Sequence, residues 1–210
     1  SINDCLQVSE IMKKATMAIE DGISLDWIPI DQIDELHAQL FVERHLASNK
    51  LFKSNHPRAL AIGKELIRSI MINEEDHVRI QCIRPGLQLD NVHNDVSDLD
   101  IRLNNLIDYS FDNKLGYLTA CPTNLGTGAR FSVMLHLPGL KIVNDLERVQ
   151  NASKAMSLTI RGYHGEGSKA LGDIYQISNQ VTLGYTEEDL LEIIADKFLP
   201  PVIEWERKAR

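Results

Sequence analysis

The stretch Arg68-Ser-Ile-Met-Ile-Asn-Glu-Glu-Asp-His-Val-Arg-Ile-Gln-Cys-Ile83 decides the fold. Arg68 to Ile72 and Val78 to Ile83 are short β-type segments. In the second, Val78, Ile80 and Cys82 alternate with Arg79 and Gln81, the period-two pattern of a strand with one buried face. The polar run Asn73 to His77 between them predicts a hairpin with an acidic tip, so the strands it joins are antiparallel.

Upstream, Ile33, Leu36, Leu40 and Phe41 give Asp31 to His45 a helical spacing. Leu6, Ile11, Met12, Ala15 and Ile19 do the same for residues 6 to 20, which predicts an outer helix stopped by Asp21-Gly22. Ser48 to Arg58 reads as a loop. Downstream, Asp95 to Tyr109, with Leu99, Leu103 and Leu106, is the central helix, and Gly116 to Ala120 is a strand leading into a Gly-rich loop. Phe131 to Leu137 and Leu140 to Val149 read as helical, broken by Pro138-Gly139, and Met156 to Arg161 as a strand. Tyr175 to Leu183 alternates as a half-buried strand whose apolar face Asn179 breaks. Thr186 N-caps a helix carrying Leu190, Leu191, Ile193 and Ile194 that ends before Pro200-Pro201. Strands in pairs with helices gathered between them predict an α+β fold, an antiparallel β-sheet flanked by helices.

Composition removes whole classes of function. With 43% hydrophobic and 25% charged residues over 210 positions, the chain has the make-up of a globular domain, not of a disordered or fibrous one. A net charge of -8 disfavours nucleic acid as a partner, so any anion site must be a local cluster of cations. No apolar run approaches the roughly 20 residues of a membrane span, and no signal segment opens the chain, which reads as soluble and intracellular. Cys5, Cys82 and Cys121 are odd in number and scattered, which suits a reducing compartment better than a disulfide framework.

Three segments hold the chemistry. Asn73 to Arg79 gathers Glu74, Glu75, Asp76, His77 and Arg79 at one turn. It is either a solvated acidic turn, a carboxylate grip for a planar guanidinium, or part of a hard-metal site. Thr119 to Arg130, with Cys121-Pro-Thr-Asn-Leu-Gly-Thr-Gly128, is either a tight turn or a phosphate cradle of backbone N–H groups completed by a helix N-terminus and the fixed cation Arg130. It lacks the Gly-Lys-Ser/Thr ending of a Walker loop. Arg161-Gly-Tyr-His-Gly-Glu-Gly-Ser168 is a surface loop, or else a second cation for phosphate and a second carboxylate for a guanidinium.

Taken in order, these segments resemble the guanidino-kinase superfamily, through Asn73-Glu-Glu-Asp-His-x-Arg79, Cys121-Pro-Thr-Asn-Leu-Gly-Thr-Gly-x-Arg130 and Arg161-Gly-x-x-Gly-Glu166. Ser132 to Pro138 and Gly165 to Gly184 are most similar to the bacterial protein-arginine kinase branch. The resemblance implies a single guanidino-kinase/glutamine-synthetase-type catalytic domain over 1–210, with 1–48 as a helical lead-in. It implies ATP and Mg²⁺ as cofactors, with the phosphates held by Arg79, Arg130 and Arg161, and with Phe131, Ser132, Val133, Met134, Gly162, Tyr163, His164, Gly165 and Glu166 also binding ATP. His45 would lie near the nucleotide. Glu75 and Glu166 would grip the guanidinium with Cys121 beside it, and no metal ligand is assigned. Partners would be arginine-bearing proteins, stress-response regulators and a chaperone–protease system in the cytoplasm.

Two departures from the family pattern stand out. Nothing in Ser1 to Ser48 matches its Ser-Ser-Arg-x-Arg segment, and the chain stops at Arg210, ahead of the C-terminal domain of protein-arginine kinases; the resemblance therefore reads as truncated at both ends. Alternatives are a phosphagen kinase acting on a free small guanidine, an inactive nucleotide-binding or interaction fragment, and a metal hydrolase built on Glu74, Asp76, His77 and His93.

Overall fold

The computed structural model describes residues 1–19, 22–53, 56–162 and 172–210. The chain divides into two units, Ser1–Ser110 and Phe111–Arg210.

The first unit is built on a four-stranded antiparallel sheet in the order β1-β2-β3-β4, formed by Leu25–Pro29, Ala59–Gly63, Arg68–Ile72 and Val78–Cys82. The expected hairpin is β3–β4, with Ile70 opposite Ile80 and Met71 opposite Arg79. Alternation sends Ala59, Ala61, Ile70 and Ile72 to one face, where they meet Met12, Ala15 and Ile19 of helix α1 (Ile2–Ala18) or its end and Leu99 and Leu103 of helix α3 (Leu89–Asn104). The other face sends Leu60, Ile62 and Met71 against Ala47 and Leu51, which follow helix α2 (Glu35–Glu43).

Leu103 has no exposed surface. Leu103→Ala is expected to lower stability by about 2–5 kcal/mol, read as a lower denaturant midpoint; an unchanged midpoint would mean that α3 does not seal this core.

Several boundaries and types differ from the sequence expectation. Helix α3 starts six residues before Asp95, and Leu106 is 47% exposed. The stretch 1–48 is not helical throughout, because β1 interrupts it at Leu25–Pro29. The stop proposed at Asp21-Gly22 falls partly outside the described residues.

In the second unit a two-stranded hairpin, β5 (Phe111–Asp112) and β6 (Gly116–Tyr117), precedes a three-stranded antiparallel sheet in the order β7-β9-β8. Its strands are β7 (Ser132–His136), β8 (Leu158–Gly162) and β9 (Ile174–Asn179). Phe131 to Leu137 is therefore a strand, not a helix. Its apolar run is too short to favour a helix on its own, and ladder pairing with Ile174–Ser178 decides it. The strand expected over Gly116 to Ala120 pairs only at its first two residues.

Helix α4 (Pro138–Ile142) and helix α5 (Leu146–Ala155) follow β7, and α5 lies on β8. Thr186 caps helix α6 (Glu187–Glu192) through a capping box with Asp189, as expected. The helix does not end before Pro200-Pro201. It runs through a π-helical turn, Ile193–Phe198, into helix α7 (Leu199–Ala209), where the prolines occupy the first turn and need no donor. Among the described residues no helix is long and apolar enough to cross a membrane.

Candidate active site

The three carboxylates at the hairpin tip are equivalent in sequence and unequal in structure. Asn73 adopts a left-handed φ of 58°, which asparagine tolerates, and its N–H closes the turn on the His77 carbonyl at 3.1 Å. Its amide donates to the carbonyls of Cys5 and Pro57 at 2.9 Å each, and its Oδ1 meets His77 Nδ1 at 2.8 Å. Glu74 is buried, accepting from Ser48 Oγ and from the Glu75 N–H at 2.7 Å, while Arg58 donates to its carbonyl at 3.1 Å. Asn73 and Glu74 thus hold the turn. Glu75 projects with 40% of its side chain exposed, and its carboxylate pairs with Lys50 Nζ at 3.2 Å. The Glu75 carboxylate is thus paired with an ammonium.

Arg79 is exposed on β4, in the same cross-strand row as Met71 and Leu60. Gln81, two residues along the same face, donates to the His45 carbonyl at 2.7 Å. His45 takes φ 56° just past α2. The Leu46 N–H returns to Phe41 at 2.8 Å and the His45 N–H to Val42 at 3.0 Å, a Schellman closure with Leu46 buried beneath it. The first unit therefore brings His45, Gln81 and Arg79 to one side of β4, with Glu75 at the hairpin tip.

In the second unit, Cys121 stands at the start of a 3₁₀ turn, Pro122–Asn124, with its Sγ 3.0 Å from Thr123 Oγ1. The expected helix after Arg130 is β7, so the loop 121–130 is not followed by a helix N-terminus that could face phosphate. Arg130 is exposed, with Nη2 3.5 Å from Asn124 Oδ1.

The loop is docked on the segment that follows β9. Thr182 Oγ1 donates to the carbonyls of Thr123 and Leu125 at 3.1 and 2.5 Å, and Asn179 Oδ1 accepts from the Phe131 N–H at 2.8 Å. A Cβ on Gly126 would lie 2.7 Å from the Thr182 carbonyl, so only glycine permits this approach.

Met134, Gln176 and Arg161 form one row across β7, β9 and β8 and share a face, with Ser132, Ser178 and Thr159 in the next row on that face. Arg161 also lines an open cleft of about 380 Å³ along β8 and α5, together with Thr159, Lys154, Gln150 and Tyr175. Gly162 ends β8. Tyr163, His164, Gly165 and Glu166 lie outside the described residues.

Cys82 is a poor candidate for reactivity. Burial, with Asp95 beside it, pushes its thiol up to about 12. Asp95 itself is held below the ordinary carboxylate range, mainly by Arg84 and then by Arg68, and this trio ties α3 to β3 and to the segment that follows β4.

Sequence reasoning missed Ser48, Arg58, Asn179 and Thr182. Asn179 alone left a signal, as the polar residue interrupting an apolar face.

Residues 7–209 match the family described as ATP:guanido phosphotransferase, C-terminal catalytic domain. The chain is 46% identical over 181 residues to the protein-arginine kinase of Pelotomaculum thermopropionicum, covering 86% of this chain and 50% of that protein. It is 42% identical over 206 residues to that of Caldanaerobacter subterraneus subsp. tengcongensis, covering 97% and 61%. The chain thus spans about half the length of the curated relatives it matches. Among solved structures, lombricine kinase superposes with a TM-score of 0.85 at 25% identity, over 99% of this chain and 60% of that one. The duplicated taurocyamine kinase from Schistosoma mansoni with bound transition state analog components gives 0.85 at 24%, over 99% and 30%.

Proposed function

Because the chain belongs to the ATP:guanido phosphotransferase family, through its C-terminal catalytic domain, we propose that it transfers the γ-phosphoryl group of ATP to arginine side chains in proteins. The observation that carries the protein substrate is that similarity to proteins named protein-arginine kinase is much higher than similarity to the kinases of lombricine and taurocyamine.

The chemistry asks little covalent help of the protein. Phosphoryl transfer needs in-line alignment and neutralised phosphate oxygens. By the family resemblance, Arg79, Arg130 and Arg161 would be the cations for that task, with Phe131 to Met134 and Gly162 to Glu166 assigned to the nucleotide and His45 near it. The arginine substrate, protonated up to a pKa above about 12, is a poor nucleophile. Glu75 would pair with it in place of Lys50, orient one nitrogen and accept its proton as the N–P bond forms. By the same resemblance, Glu166 would be the second carboxylate of this grip and Cys121 would sit beside the guanidinium.

Mg²⁺ accompanies ATP in such a reaction. Among the described residues no group of three or more His, Cys, Asp or Glu is placed to hold a metal ion. The described side chains do not form a resident metal cage, so phosphate oxygens and water would supply ligands for the ion. The same reading sets the protein in the cytoplasm, with stress-response regulators and a chaperone–protease system as its context.

The test is incubation with γ-labelled ATP, Mg²⁺ and either an arginine-rich unfolded protein or free arginine. Acid-labile label on protein arginine is the expected result. Label on free arginine alone would make it a small-guanidine kinase, and ADP binding with no transfer to either would leave a nucleotide-binding segment.

A further inference from the structure

We propose that Asn179 and Thr182 are positioning residues for nucleotide binding, a two-point clamp that fixes the backbone of loop 121–130 and so aims Arg130. The inference rests on the reading that Arg130 holds a nucleotide phosphate.

The geometry is a division of labour between two side chains three residues apart. Asn179 is 2% exposed and ends β9, one residue past the last row shared with β7, Ser132 opposite Ser178. Where the ladder would continue by main chain, the Asn179 side chain takes over. Its Oδ1 accepts from the Phe131 N–H at 2.8 Å, and its Nδ2 donates to the Ala129 carbonyl at 3.1 Å and the Val181 carbonyl at 3.2 Å. The two residues flanking Arg130 are therefore gripped by one amide, leaving the Arg130 side chain outward.

Thr182, 3% exposed, fixes the other end. Its hydroxyl proton is shared between the carbonyls of Thr123 and Leu125, and its own carbonyl receives Thr127 Oγ1 at 3.5 Å. Gly126, at φ 97°, lets the loop close onto Thr182 and Leu183. With no helix dipole at this loop, binding depends on where a long, exposed arginine begins. Its starting point is set by these bonds, and misplacement of such a group costs affinity without any loss of contact chemistry.

Thr182→Val keeps the shape and removes the donor, leaving the carbonyls of Thr123 and Leu125 unpaired. Thr182→Ser restores the hydroxyl. Val149→Ala, a buried site on α5 in the same unit, serves as a control for general loss of stability. Titration with Mg-ADP and thermal melting are measured together.

Thr182→Val is expected to weaken ADP about tenfold, the size of one lost buried hydrogen bond. Asn179→Ala should weaken it more, while Thr182→Ser stays near wild type. Val149→Ala should lower the melting midpoint with ADP affinity retained. Equal ADP affinity for the Val and Ser variants, or an equal loss in Val149→Ala, would overturn the clamp alone. A wild-type chain that binds no ADP would overturn the phosphate reading of Arg130 and the clamp with it.

Discussion

Glu75→Gln is expected to lower phosphoryl transfer by roughly 10²–10⁴-fold, the usual contribution of a positioned general base, with ADP affinity and melting temperature near wild type. The reason lies in how the hairpin tip divides its work. The turn is held by Asn73, bonded to His77, Cys5 and Pro57, and by Glu74, bonded to Ser48 and to the Glu75 N–H. Nothing in that scaffold needs the Glu75 carboxylate, whose ion pair with Lys50 is exposed and contributes about 0–1 kcal/mol. Gln keeps the volume and one acceptor. It loses the charge that pairs with a guanidinium and the basicity that takes its proton, and it turns a donor toward a substrate that is itself all donor. Loss of turnover without loss of ADP binding is the signature of an interaction made at the reacting guanidine. Equal losses in both would place Glu75 in the nucleotide site, and full activity would remove it from the reaction. Glu74→Gln is the contrasting change, because it disturbs the buried carboxylate that supports the tip.

The hairpin was legible because its second strand alternates without a break and its turn is a single polar run. The N-cap at Thr186 was legible for a similar reason: the cap and the acidic first turn it precedes are consecutive in sequence, while its reciprocal bond with Asp189 came from the structure. Strand β2, Ala-Leu-Ala-Ile-Gly, left no period at all, since it is central in its sheet and buried on both faces, and a short continuous apolar run does not distinguish strand from helix. Ser132 to His136 failed for the related reason that Val-Met-Leu acquires its strand identity only from β9, about forty residues away.

The candidate site shows the same split. The motifs that carry charge were readable as motifs, but their supports were not. Ser48 reaches Glu74 across 26 residues, Asn179 reaches Phe131 across 48 and Thr182 reaches Thr123 across 59. None of these pairings has a local pattern. A polar residue on an apolar face, as at Asn179, is the trace such a pairing leaves, because a buried amide without partners would cost too much to retain.

Glu206→Ala is expected to lower the stability of the second unit by several kcal/mol, roughly two unmet buried donors, and Glu206→Gln to flatten its acid dependence. Glu206 is 6% exposed on α7, and it caps a helix from outside. Helix α4 begins with no side-chain cap of its own. The Gly139 and Leu140 N–H groups, unsatisfied in any first turn, donate to the two oxygens of Glu206 at 2.9 and 3.0 Å, and Arg210 Nε closes on Oε1 at 2.7 Å. A Cβ at Gly139 would stand 3.0 Å from Oε1, so the glycine is what lets the carboxylate approach. Alanine at 206 leaves two buried donors unmet, at about 1–3 kcal/mol each, which lowers the melting midpoint by roughly 4–20 °C in a chain of this size. Burial is the largest single influence on the carboxyl and pushes its pKa up. Arg210 and the two N–H groups together outweigh it, so Glu206 ionises more readily folded than unfolded. A depressed folded pKa means that its contribution is complete above the unfolded value near 4.3 and is lost as pH falls through the folded one. Wild type should therefore shed more stability than Glu206→Gln as pH drops below about 5, with the two curves parallel at neutral pH. Parallel curves across the whole acid range would show that the carboxylate's charge does not hold α4 in place.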